Sequence, residues 1–245
     1  PLPRFKIKIQ YDGTSYRGWQ VQKEDRTVQG EIESVLKILN KGVGIRVHGA
    51  GRTDTGVHAT GQIAHFDFIT DMDSCSLKEA LNGNLPRDSR VMDCLVVPPD
   101  FHARFSAKQR YYLYRIRTDG FLLDRNYTWQ TSALDKDILN EAAKYVLGNH
   151  DFTSFSKNNK DLEHRRCIVY ESVWKKDGAV VNYHIIANRF LHHMVRYLVG
   201  TMIEISHGKF ELEQFKDMID CPAENVKIFK APPKGLVLTK VDYDE

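Results

Sequence analysis

The carboxylate of Asp54 stands in the run GAGRTDTGVHATGQIAHFDF, Gly49–Phe68, behind Arg52 and Thr53 and ahead of a glycine turn. A cation close to a carboxylate favours its ionised form, and an ionised carboxylate at neutral pH is a nucleophile or a base. The plainer reading is an Asp that closes a loop or caps a helix, the commoner fate of such residues in Gly-rich turns. A second stretch, YDGTSYRGWQ (Tyr11–Gln20), spaces Gly13 and Gly18 as a phosphate-binding loop would, but Trp19 stands where the phosphate-gripping Lys belongs. Tyr16, Arg17 and Trp19 then offer flat faces and a charge suited to bases and phosphates, or else they pack as core. In FHARFSAKQRYYLYRIR (Phe101–Arg117) aromatics and cations interleave. That pattern suits either phosphate contacts with one tyrosine stacked on a base, or two filled strand faces. In NRFLHHMVRYLVGTM (Asn188–Met202), His192 and Arg196 lie four apart, and His193 points elsewhere. Arg196 is either a solvated residue or the rim of a site that pairs an anion. There is no HExxH, no GxSxG elbow and no calcium loop, so no metal site is expected.

The elements that must carry these residues follow from periodicity. FKIKIQY alternates as a strand, and TVQGEIESVLKILN places Val28, Ile32, Val35, Leu36 and Leu39 on one helical face with Thr27 as N-cap. IRVHGAG is expected as a strand leading into the Asp54 loop, and QIAHFDF as the strand leaving it. A short helix near Leu77–Leu81 and the strand RVMDCLVV follow. The second half repeats the rhythm. RYYLYRIRT is a strand, LDKDILNEAAKYVLG a helix stopped by Gly148, and CIVYESVWKK with AVVNYHIIANRF a hairpin around Asp177-Gly178. A long helix is predicted from Leu191 to about Ser206, another over about Glu211–Asp220, and GLVLTKVDY closes as a strand. Two α+β subdomains are expected, 1–104 with the Asp54 loop and 105–245.

The 245 residues carry 42% hydrophobic and 27% charged side chains, which suits a folded globular chain and excludes whole-chain disorder. No apolar run reaches the roughly 20 residues of a membrane span, and no charged-then-apolar leader opens the sequence. Cys75, Cys94, Cys167 and Cys221 form no CxxC pair. A reduced, cytoplasmic setting without structural zinc is expected. Net charge is only +3, so a nucleic-acid partner would have to be met by a local patch.

Taken together, GRTDTGVH with its continuation TGQIAHF resembles the catalytic motif of the bacterial tRNA pseudouridine synthase A family. YDGTSYRGWQ, NLPRD, FHARFSAKQRYYLYRI, GNHDFTSF, FLHHMVRYLVG and APPKGLVLTKVDY resemble that family too, in its order, from residue 11 to residue 243. The resemblance implies an isomerase that converts uridine to pseudouridine in the anticodon stem-loop of tRNA. It implies no cofactor and no metal, and a homodimer that binds tRNA across both subunits. It also implies a fold of two RRM-like (ferredoxin-like) α+β halves, their antiparallel sheets joined around a basic cleft. The family's catalytic aspartate falls on Asp54, its paired arginine on Arg52, its base-packing tyrosine on Tyr112 and its helical arginine on Arg196. Tyr111 and Leu113 stand where the family commonly carries arginine. Candidate phosphate ligands are Arg17, Arg104, Arg110, Lys157, Arg165 and Arg166. Two rivals share some of these features. A non-catalytic RNA-binding module assigns Asp54 no special role. A glycosidase needs a second carboxylate roughly 5–10 Å from the first, for which Asp67 is the nearest candidate.

Overall fold

The computed structural model describes residues 2–157 and 163–244. The chain forms two compact units, Pro1–Lys108 with Val237–Glu245, and Gln109–Leu236. Each mixes helix with a largely antiparallel sheet, in the α+β class expected.

In the first unit, β1 (Arg4–Tyr11) lies between β4 (Ser89–Val97) and β3 (His58–Asp67), antiparallel to both. The alternation in FKIKIQY puts Phe5, Ile7, Ile9 and Tyr11 on the buried face. Helix α1 (Val28–Leu39) buries Val28, Ile32, Val35 and Leu36, and Thr27 caps it by accepting from the Gly30 amide. Helix α2 (Ser74–Asn84) is longer than its apolar spacing predicts. Asp73 caps it at Ser76, and Leu77 and Leu81 are its buried residues. The strand expected over IRVHGAG shrinks to β2, His48–Gly49, paired with β3. Side chains of α1 take the neighbouring backbone instead: Glu33 accepts the Val47 amide at 3.0 Å, and Gln29 donates to the Val47 carbonyl at 3.0 Å.

The closing strand β10 (Leu236–Tyr243) runs parallel to β3, with Val237 opposite His58 and Leu238 opposite Ala59. An unbroken second half of 105–245 would leave it with the helices before it. Pairing with β3 returns Val237–Glu245 to the first unit.

In the second unit the order is β5 (Ala107–Arg117), β9 (Val180–Ala187), β8 (Arg166–Asp177) and β7 (Gly148–Asp151), antiparallel throughout. The short β6 (Trp129–Gln130) lies parallel to the end of β5. The β8–β9 hairpin turns through Gly178 and Ala179, with Asp177 opposite Val180. Burial along β8 changes phase, from Cys167 and Val169 to Ser172 and Trp174, because a bulge between Val169 and Glu171 inserts one residue. Helix α3 (Lys136–Tyr145) packs on β8 and on α4 (Met194–Ser206), and α5 (Leu212–Asp220) closes the group with a Glu211–Gln214 capping box.

Helix α4 starts later than its periodicity predicts. The carbonyl of His192, which a helix would spend on residue 196, accepts the Lys157 amide at 3.1 Å. His193 takes a left-handed conformation, φ +66°. The helix therefore begins at Met194, and His192 and Arg196 do not share a helical face.

Candidate functional site

Asp54 lies in the loop between β2 and β3, which the Tyr11–Gln20 segment grips at several backbone points. The Trp19 amide donates to the Thr53 carbonyl at 3.1 Å, and the Gly56 amide donates to the Tyr16 carbonyl at 3.2 Å. The Val57 amide closes the turn onto the Asp54 carbonyl at 3.1 Å. The Gly13 amide donates to His58 Nδ1 at 2.9 Å, just past the loop. Thr53 is buried, its hydroxyl 2.7 Å from that of Tyr11. Burial pushes the Tyr11 phenol up to about 12, so it keeps its proton near neutrality and remains a hydrogen-bonding group. Gly18 is forced by contact: at φ +90°, a side-chain carbon there would stand 2.5 Å from the Thr53 carbonyl oxygen. Asp54 itself is half-exposed, between buried Thr53 and exposed Thr55.

Behind this grip lies an ion-paired clamp. Arg26 meets both oxygens of Asp88, at 2.7 and 2.9 Å, and reaches Glu31 at 2.7 Å. The Tyr16 hydroxyl donates to Asp88 at 2.9 Å, and the Arg26 guanidinium lies 4.3 Å from the Tyr16 ring centre. The Asp88 backbone also accepts the Asp12 amide at 2.9 Å. Arg26 holds the Asp88 carboxyl below the usual carboxylate range, and burial raises the Tyr16 phenol above its ordinary value. Tyr16 and Trp19 are 1% and 2% exposed. They are core of the Asp54 loop and present no face to a base, which corrects one of the two readings of YDGTSYRGWQ. Arg17, on the same segment, is exposed, 3.7 Å from Asp25.

In the second unit the expected residues gather on Asn188–His193. Arg110 donates to the Asn188 carbonyl at 2.6 Å. Tyr112 is half-buried and meets Phe190 edge to face at 5.0 Å. The backbone of Lys157 is tied to His192, as above, and the rings of His192 and His193 lie 3.9 Å apart. Tyr114, two residues along β5, is fully buried with its hydroxyl on the Pro232 carbonyl at 2.7 Å, which leaves it no part in stacking. Arg196 is 8% exposed, not solvated. Its Nε donates to the Ala231 carbonyl at 2.8 Å, and its own carbonyl accepts the Ala231 amide at 2.9 Å.

The remaining cations are scattered. Arg52 and Arg104 are exposed in the first unit, Arg104 with its guanidinium 5.5 Å from the Phe105 ring. Arg166 is exposed at the start of β8, and Arg165 is tied to Glu224 at 3.0 Å. Asp67 lies at the far end of β3 from the Asp54 loop. Nine strand residues at roughly 3.3 Å each put about 30 Å between those ends. Its carboxylate is held by two of the Arg4 nitrogens, Nε and Nη2, at 2.7 and 2.9 Å. The second carboxylate that a glycosidase needs is therefore not Asp67.

The sequence matches the family described as tRNA pseudouridine synthase over residues 7–106 and 142–244. The chain belongs to the tRNA pseudouridine synthase family. Among relatives named tRNA pseudouridine synthase A, one from Geobacillus sp. (strain WCH70) is 40% identical over 98% of each chain. One from Halalkalibacterium halodurans is 41% identical over 96% of this chain and 91% of its own. One from Lactobacillus delbrueckii subsp. bulgaricus is 39% identical over 99% and 95%. For a member of the synthase family, the residues the sequence does not single out are those that hold the Asp54 loop: Tyr11, Arg26, His58 and Asp88. Only Tyr11 leaves a trace, as a polar-headed residue at the inward phase of β1. The others meet the loop through long-range pairing that no local pattern encodes.

Proposed function

We propose that this enzyme isomerises uridine to pseudouridine in the anticodon stem-loop of tRNA, with Asp54 as its reacting carboxylate. Membership of the synthase family supports the reaction, and the observation that carries the residue is the Asp54 loop. A half-exposed carboxylate stands on a backbone fastened on both sides and backed by a half-buried clamp, the rigidity that a reacting group needs.

The reaction breaks the bond from ribose C1′ to N1 of the base and makes one from C1′ to C5. N1 gains a proton and C5 loses one. The change is redox-neutral with nothing added, so it calls for no cofactor and no metal. A base stacked in an RNA helix must leave the stack first, at a cost of a few kcal/mol. Stacking on Tyr112 and phosphate contacts offset that cost. The phosphate ligands are taken from Arg17, Arg104, Arg110, Lys157, Arg165 and Arg166. Three routes use the same ionised oxygen of Asp54: addition to C1′, addition to C6, and removal of the C2′ proton. Each is helped by a cation near the carboxylate, the role assigned to Arg52 and Arg196. Binding of tRNA across a homodimer, in the cytoplasm, completes the reading.

The test is release of tritium from tRNA carrying uridine labelled at C5. Asp54→Ala abolishes release and holds tRNA affinity within about tenfold, since phosphate contacts dominate binding. Full activity in that variant ends the assignment. Wild-type protein that binds tRNA and releases nothing would be an RNA-binding module.

A further inference from the structure

The first unit carries a second group of rings and cations at the other end of β3. His65 is seven strand residues from His58, about 23 Å at 3.3 Å per residue. There a cleft of about 510 Å³ is lined by Arg4, Arg46, His48, His65 and His102, among others. The rings form a ladder. His48 lies over His65 at 5.0 Å and 20°, and His65 meets His102 at 4.6 Å. His102 meets Phe105 at 4.4 Å and 33°. The ladder ends in solvent, because Phe105 is 76% exposed, with the Arg104 guanidinium 5.5 Å from its ring.

The chemistry of the cluster narrows what it can hold. A metal does not fit. Among the described residues of this unit, no three His, Cys, Asp or Glu side chains converge closely enough to share an ion. His65 Nδ1 accepts the Ala103 amide at 3.1 Å, and His102 Nδ1 accepts the Arg104 amide at 3.1 Å. A ring nitrogen that accepts a backbone N–H carries no proton, so each neutral imidazole has its proton on Nε2. Burial holds His65 neutral, with a pKa near 4, and lowers His102 as well. Near neutral pH these two rings are therefore flat, uncharged faces. The charge comes from Arg46, an exposed guanidinium 3.8 Å from Glu33, and from Arg104. Arg4 is already committed to Asp67 and to the Phe101 carbonyl. Flat faces in series with guanidinium groups at their rim are the recognition chemistry of single-stranded nucleic acid.

We propose that the ladder ending in Phe105 and Arg104 is a second RNA contact of this enzyme, stacking on an unpaired base while Arg104 and Arg46 meet the adjoining phosphates. The proposal rests on the reading of the chain as a tRNA enzyme and adds a site remote from Asp54. An exposed phenyl beside a guanidinium matches a polyanion in charge and a base in shape.

The experiment measures affinity for full-length tRNA and for an equally long, fully paired RNA duplex with blunt ends. Phe105 is exposed, so its substitution leaves the fold intact, which the melting temperature verifies. Phe105→Ala weakens tRNA binding about tenfold and leaves duplex binding within twofold. Phe105→Trp restores tRNA binding, and Phe105→Leu, which keeps bulk without a π-face, does not. Arg46→Ala weakens both RNAs and lowers the salt dependence of binding. Wild-type tRNA affinity in Phe105→Ala overturns the proposal. So does restoration by leucine, or loss of self-association in sedimentation with RNA affinity unchanged, which would make Phe105 a protein contact. Tritium release by the wild type is scored separately. Its absence would end the catalytic reading while the affinities still decide the ladder.

Discussion

Gly18→Ala tests whether the grip on the Asp54 loop matters to the chemistry. At this position an added carbon meets the Thr53 carbonyl oxygen at 2.5 Å, where ordinary contact begins at 3.4 Å. The backbone on one side must therefore yield by about 0.9 Å, and where the Thr53 side gives way it carries Asp54, its next residue. A misplacement of about 1 Å costs a reacting group on the order of 10²-fold in rate. The substitution also forces a side chain into φ +90°, costing about 1–2 kcal/mol of stability. Gly42 separates the two effects. It has φ +93° with nothing within 4 Å, so Gly42→Ala carries the strain without the displacement. Single-turnover tritium release at saturating enzyme is the assay, beside tRNA affinity and melting temperature. Gly18→Ala is expected to lose about 10²-fold in rate with affinity held within about twofold. Gly42→Ala loses only stability. A Gly18→Ala enzyme at wild-type speed, or an equal rate loss in Gly42→Ala, refutes the reasoning.

Asp88→Asn removes the charge that Arg26 holds and is expected to slow turnover while tRNA affinity stays. Because the folded Asp88 carboxyl titrates below its unfolded value, its stabilisation is present above about pH 4 and fades as pH falls further. Acid unfolding curves of the variant should lack that component, and coincident curves would argue against the clamp. His65 works over a different window. Its folded pKa near 4 lies below the unfolded value of about 6.5, so stability falls as pH drops from about 6.5 to about 4. His65→Asn, which keeps an acceptor for the Ala103 amide, should flatten that slope in a melting series, and an unchanged slope sinks the assignment. Trp19→Ala should cost about 3–5 kcal/mol of stability, whereas Arg17→Ala should leave the melting temperature alone and reduce the salt dependence of tRNA binding. Arg196→Lys loses the Nε donor to Ala231 and should destabilise the second unit by about 1–3 kcal/mol. A wild-type melting curve would deny that bond any weight.

What could be read from the sequence follows the range of the forces involved. Strand alternation and helix spacing are local, so β1, α1, β9 and α5 are legible, as is the Thr27 cap. The family resemblance picks out Asp54 because the residues that carry it concentrate in one short motif. Other features depend on partners distant in sequence. Periodicity runs α4 back to Leu191, since nothing local tells that Lys157 claims the His192 carbonyl. Likewise the sequence leaves Tyr16 and Trp19 open between flat faces for bases and packed core until the burial beneath the Asp54 loop is known. The clamp of Arg26 with Asp88 joins residues 62 apart, and the return of β10 to β3 joins residues far more distant. No window along the chain contains either pair.

The parallel pairing of Val237 and Leu238 with His58 and Ala59 has a bearing on biosynthesis. The ribosome makes β10 after every other element of both units, so a nascent chain lacks the neighbour that steadies the start of β3 until β10 has emerged. Until then the start of β3, just past the Asp54 loop, has β1 beside it and lacks its parallel partner. Removing β10 is thereby felt at the strand that follows Asp54.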